Sequence, residues 1–141
     1  MNRSHEHALA LLERAEGDRY VAERLAADAA APGWSVAFHA QQAVEKAIKA
    51  VLTARGIEYP RTHNLAMLLQ MLKAHCLPEP PDADGLPRLT PFGAALRYED
   101  TAAAEDVLVD RAWASECAER TVEWARTALG EAEERNQGSV S

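Results

Sequence analysis

Cysteine is almost absent: Cys76 and Cys117 stand far apart with no CxxC spacing, so neither a disulfide framework nor a zinc site is indicated. Both read as packing residues. Aromatic residues are also scarce at 6%, and the apolar share is dominated by alanine, a composition that favours helices over strands. No stretch alternates apolar and polar residues over strand length. No run of about 18 apolar residues exists, which leaves no candidate for an apolar membrane-spanning helix. The opening residues MNRSHEHALALLERAE lack the basic-then-apolar order of a signal peptide, so the chain reads as cytoplasmic. Positive charge is in deficit: 15 Lys and Arg against 22 Asp and Glu give a net charge of -7. Phosphate binding needs clustered Lys and Arg, so a broad footprint on nucleic acid is disfavoured and only a small local basic patch is left.

What is present suits an all-α fold. The 141 residues are enough for one domain with a real core, expected over 1–135, with the tail 136–141 disordered. The spacing predicts five helices. The first covers 4–30, where Leu11, Ala15, Asp18, Ala22, Leu25 and Ala29 alternate by four and three. Pro32-Gly33 breaks the chain, and a second helix covers 34–55 and stops before Gly56. Thr62 reads as the N-cap of a third helix reaching about residue 75, with Leu65, Leu68, Leu69 and Leu72 as its apolar face. LPEPPDADGLP holds four prolines and one glycine in eleven residues, which predicts a surface loop without regular structure. Thr90-Pro91 then resembles a cap followed by proline at the first helical position, opening a short fourth helix toward Tyr98. The fifth and longest runs from Ala102 or Asp106 to Glu134, with Leu108, Ala112, Ala118, Val122, Ala125 and Leu129 on one side. The expected architecture is an antiparallel helical bundle.

The second helix is the informative one. Ala37, Val44, Ile48, Val51 and Leu52 fall on one side, and Ala40, Ala43, Ala47, Ala50 and Ala54 form a flat seam beside them. A seam of that kind lets another helix approach closely. With about two-thirds of its girth apolar, this helix is either central in its bundle or shared with a second subunit. His39, Gln42, Lys46 and Lys49 fill the remaining arc, whereas Gln41 and Glu45 lie inside the apolar side. A buried amide and carboxylate are costly unless they are hydrogen-bonded or paired. Asp18 poses the same problem on the first helix. Asp18, Gln41 and Glu45 are therefore expected to form a structural polar cluster, joined by at least one of the cations Lys46, Lys49, Arg97 and His63.

These residues resemble a known family. FHAQQAVEKAIKAVLTARG, then PRTHNLAMLL, then LRYED, with AEGDRYVAERLA before them, are similar to the motifs of the HEPN domain, the nucleotide-binding domain of higher eukaryotes and prokaryotes. The resemblance runs from about residue 8 to residue 129. It implies a five-helix up-and-down bundle, similar to the helical domain of kanamycin nucleotidyltransferase. A homodimer is also implied, encoded beside a minimal nucleotidyltransferase in a two-component or toxin-antitoxin system. Many members are ribonucleases that carry Arg, four to six residues, then His. None of His5, His7, His39, His63 and His75 has an arginine at that distance before it.

The resulting expectation is a non-catalytic module that binds a nucleotide, RNA or a partner protein. Gln42, Lys46, Lys49, His63 and Arg97 would line its cleft, and Tyr98 would stack on a base. The alternative is a ribonuclease using His63 and Arg97, because metal-free RNA cleavage needs a proton-transfer group and a cation for the charged phosphorane. Trp34, Trp113 and Trp124 read as core or dimer-interface aromatics. No cofactor or metal site is expected, since His5 and His7 have no third ligand nearby.

Overall fold

The computed structural model describes residues 3–93 and 110–138, with side chains through residue 134. Among these residues there are four α-helices, one 3₁₀ helix and no strand, arranged as an up-and-down bundle. Helix α1 spans Arg3–Ala26, α2 Gly33–Ala54, α3 Leu65–Ala74 and α4 Arg111–Gly138, with the 3₁₀ segment Leu86–Phe92 between the last two.

Helix α2 is the axis of the fold. It packs against α1, α3, the 3₁₀ segment and α4, and not one of its 22 residues is exposed. The alanine seam explains how: Ala40, Ala43, Ala47 and Ala50 are all fully buried, and side chains this small let neighbouring helices approach closely. Ile48 and Leu52 fill the space left beside them, fully buried, each contributing about 1.5–3 kcal/mol by leaving water. The seam is thus consumed within one chain. At the C-terminal end, Gly56 takes φ +71, and Ile57 N–H and Gly56 N–H donate to Leu52 O and Thr53 O. This is the paired bond pattern that ends a helix on a left-handed residue.

Several boundaries differ from those the spacing predicts. Helix α1 stops at Ala26 rather than residue 30, because the Asp28 carboxylate accepts from Ala30 N–H at 2.9 Å and offers the backbone a turn instead. Arg111 holds that turn by donating to the carbonyls of Asp28 and Leu25. Asn64, not Thr62, caps α3: its side chain accepts from Met67 N–H at 3.2 Å, while Thr62 Oγ1 accepts from Asn64 N–H. Thr90 does not cap a helix that starts at Pro91, and the rest of the expected fourth helix, 94–98, lies outside the described residues. The Thr90 hydroxyl accepts from Leu65 N–H at 3.2 Å, capping α3, and Pro91 lies inside the 3₁₀ segment. That segment also claims the end of the proline-rich stretch expected to be irregular, with Leu86 fully buried.

Helix α4 begins at Arg111, not at Ala102 or Asp106, because Asp110 is its cap and accepts from Trp113 N–H at 3.1 Å. Ala112 is exposed, so the core face runs instead through Ala114, Ala118, Val122, Ala125 and Leu129. The helix continues to Gly138, into the stretch NQGSVS expected to fray. Leu108, Arg97 and Tyr98 lie outside the described residues.

Helix α3 ends as α2 does, but with cysteine at the left-handed position. Cys76 has φ 56, and its N–H and that of Leu77 donate to Lys73 O and Leu72 O. A Cβ is unfavourable there and glycine carries none. Cys76→Gly is expected to stabilise the fold by about 0.5–1 kcal/mol, read as a higher urea midpoint.

Candidate functional site

The polar residues of α2 are distributed over two separate clusters. In the first, Glu45 is 4% exposed and its carboxylate takes three bonds. Gln41 Nε2 donates to Oε1 at 3.0 Å, Lys49 Nζ to Oε2 at 3.0 Å, and His63 Nδ1 lies 2.7 Å from Oε1. Gln41 is fully buried. Its amide nitrogen also reaches His63 O at 3.3 Å, and its oxygen accepts from Gln42 Nε2 at 2.7 Å. Gln42 in turn reaches Gly93 O at 3.4 Å. The Lys49 ammonium lies 5.5 Å from the centre of the Tyr59 ring, a distance at which a cation is attracted to the ring face.

The second cluster bridges α1 and α2. Asp18 receives Lys46 Nζ at 2.6 Å on one oxygen and faces His39 Nδ1 at 3.1 Å on the other. Among the described residues, no hydrogen bond or ion pair joins it to the Glu45 cluster. The single cluster of Asp18, Gln41 and Glu45 expected from the sequence is therefore corrected: Gln41 and Glu45 belong together, and Asp18 serves the α1–α2 interface. The reason is geometric. Lys46 and Lys49 are three apart, about 100° per residue turns them to neighbouring sides of α2, and each reaches the acid on its own side.

Burial would push the Glu45 carboxyl up. The hydrogen bonds from Gln41, Lys49 and His63, with the Lys49 charge, more than offset this and hold it below its ordinary value of 4.5. Because the folded value is depressed, the stabilisation is fully present above the unfolded value and is lost as pH falls through the folded one. Unfolding in urea should therefore show stability falling below about pH 4.5. Glu45→Gln, with no carboxyl to protonate, should show a flatter acid limb; an unchanged limb would refute the assignment.

His63 is the cluster's outlet. Its side chain is 51% exposed. A carboxylate only accepts hydrogen bonds, so Glu45 fixes the proton on Nδ1, and among the described residues Nε2 has no hydrogen-bond partner. A carboxylate that fixes an imidazole tautomer is also how a proton-transfer histidine is oriented.

The other expected ligand-binding residues are placed differently. Lys46 and Lys49 share α2, but each ammonium is held by a carboxylate, and the two side chains are 24% and 13% exposed. Gln42 is half-buried and bonded inward. Arg97 and Tyr98 fall outside the described residues. Two contributors carry no signal in the sequence. Gly93 closes over Gln41 so tightly that a Cβ there would lie 2.5 Å from Gln41 Cδ, and Tyr59 covers Lys49. His39 was legible only as part of the polar arc, seven residues before Lys46. Among the described residues, no three His, Cys, Asp or Glu side chains are grouped to hold a metal ion, and no helix is long and apolar enough to cross a membrane.

Comparison with known proteins gives one finding. The family model described as HEPN domain matches residues 8–134. No curated protein and no solved structure matches the chain.

Proposed function

The chain belongs to the HEPN domain family, and on that premise we propose that it is a non-catalytic nucleotide- or partner-binding module that works with a minimal nucleotidyltransferase, in a two-component or toxin-antitoxin system. The observation that carries this reading is the internal pairing of both α2 ammonium groups, Lys46 with Asp18 and Lys49 with Glu45. A cation engaged by a carboxylate is poorly placed to stabilise a phosphorane, and the Arg-then-His spacing of the family's ribonucleases is absent. A bare phosphate would have to displace a carboxylate from either lysine. A protein partner would not, since it could add hydrogen bonds at Gln42 and His63 and leave both pairs closed. Pairing of two such chains is part of the reading and rests on the family.

One observation favours a second reading. The 2.7 Å contact of His63 with a buried carboxylate, on a half-exposed ring, is the arrangement of an oriented general base, as a metal-free ribonuclease would require. Two measurements separate the readings. The purified chain, incubated with single-stranded RNA in EDTA, is expected to leave the RNA intact. Co-expressed with a minimal nucleotidyltransferase partner, the chain is expected to co-elute with that protein. Cleavage that disappears in His63→Ala would overturn the binding-module reading in favour of the enzyme.

A further inference from the structure

The outer face of α4 carries a groove that shares no residue with the α2 clusters. Its cavity is about 670 Å³, as large as pockets that bury a small organic ligand. Two rows of α4 build one wall. Glu119, Glu123, Thr127 and Glu131 follow one another at intervals of four, and beside them run Arg120, Trp124 and Ala128 at the same interval. Pro78 and Pro81, from the connection after α3, form the opposite side.

Rows spaced by four are the ridges into which a second helix packs. Here the row nearer the core supplies an indole and a methyl as floor, and the outer row supplies the charge. Arg120 lies 3.8 Å from Glu116, and Glu123 is paired with Arg126. Glu119 and Glu131 have no ion-pair partner among the described residues. They are separated by twelve residues, about 18 Å along a helix, so the groove presents an apolar centre with a carboxylate at each end that no described cation pairs. Among the described residues the buried Trp124 indole nitrogen has no acceptor, so none of them fixes by a hydrogen bond the ring that forms the floor.

We propose that this groove docks an amphipathic helix of a partner protein, with two or three apolar side chains over Trp124 and Ala128 and Lys or Arg residues meeting Glu119 and Glu131. Helix-in-groove recognition reads apolar anchors at intervals of three and four. The acidic rim selects a basic partner and repels an acidic one, a second copy of this chain with its net charge of -7 included.

The test uses the full chain and fluorescence anisotropy with three labelled helical peptides. One carries leucine and lysine in amphipathic register, one replaces lysine by glutamate, and one replaces leucine by serine. Only the leucine–lysine peptide should bind. Glu119→Lys/Glu131→Lys should weaken it by about tenfold, whereas Glu6→Lys/Glu13→Lys, on exposed positions of α1, should change it by less than about twofold. Equal loss in the two variants would show attraction to net charge alone and overturn the proposal, as would equal binding of the serine or glutamate peptide. Sedimentation gives a further check. A dimer that dissociates in Glu119→Lys/Glu131→Lys would make the occupant a second copy and also overturn it.

Discussion

Glu45→Ala is expected to destabilise the protein by about 3–5 kcal/mol, the cost of removing one partner from a buried ion pair. The carboxylate is 4% exposed and answers three donors, so its loss strands Lys49, whose side chain is 13% exposed, and leaves the Gln41 amide nitrogen with only the longer bond to His63 O. Glu45→Gln keeps the volume and an acceptor but not the charge, and should fall between wild type and alanine. Equilibrium urea unfolding measures each, and the double variant Glu45→Ala/Lys49→Met should lose less than the two single variants together, because the stranded charge goes with its partner. A loss below about 1 kcal/mol for Glu45→Ala would place the group among ordinary surface pairs and remove the physical basis for a buried polar cluster.

Gly93→Ala is the second large effect, about 2–3 kcal/mol. The backbone there, at φ -78 and ψ -40, suits any residue, so the cost is steric alone. The added methyl would sit 2.5–2.6 Å from Gln41 Cδ, Nε2 and Oε1. Gln41 cannot swing aside, because it is fully buried and its amide is fixed by Glu45 and Gln42. Gln41→Ala should make room for the methyl, so that the pair of substitutions costs less than the sum of the two in urea unfolding. Strict additivity would show that the two positions do not touch.

The parts of this molecule that were legible in the sequence are those set by short-range periodicity. The apolar phase of α2 identified its central place, and the intrusion of Gln41 and Glu45 into that phase marked them as inward-facing polar groups. What could not be read was the choice among equivalent partners. Lys46 and Lys49 are both within plausible reach of an acid, and only the approach of α1 assigns the first to Asp18. Long-range capping was equally hidden. Thr90 has the sequence signature of a cap for its own segment, yet its hydroxyl serves Leu65, 25 residues earlier. The end of α1 depends on Arg111, which donates to Asp28 O across 83 residues, a distance no local rule spans. Gly93 gave no signal either, since a glycine with ordinary dihedrals announces a close neighbour only when the neighbour is known.

The absence of any exposed residue on α2 has a consequence for how this protein can change over time. Helices at a surface divide their positions into a constrained half and a permissive half, and drift accumulates in the second. A rod wrapped on every side has no permissive half: a larger residue at an alanine crowds a neighbouring helix, and a neutral residue at a lysine strands an acid. Variation is thereby diverted to the outer faces of α1 and α4, so new surfaces can arise there while the centre stays as it is.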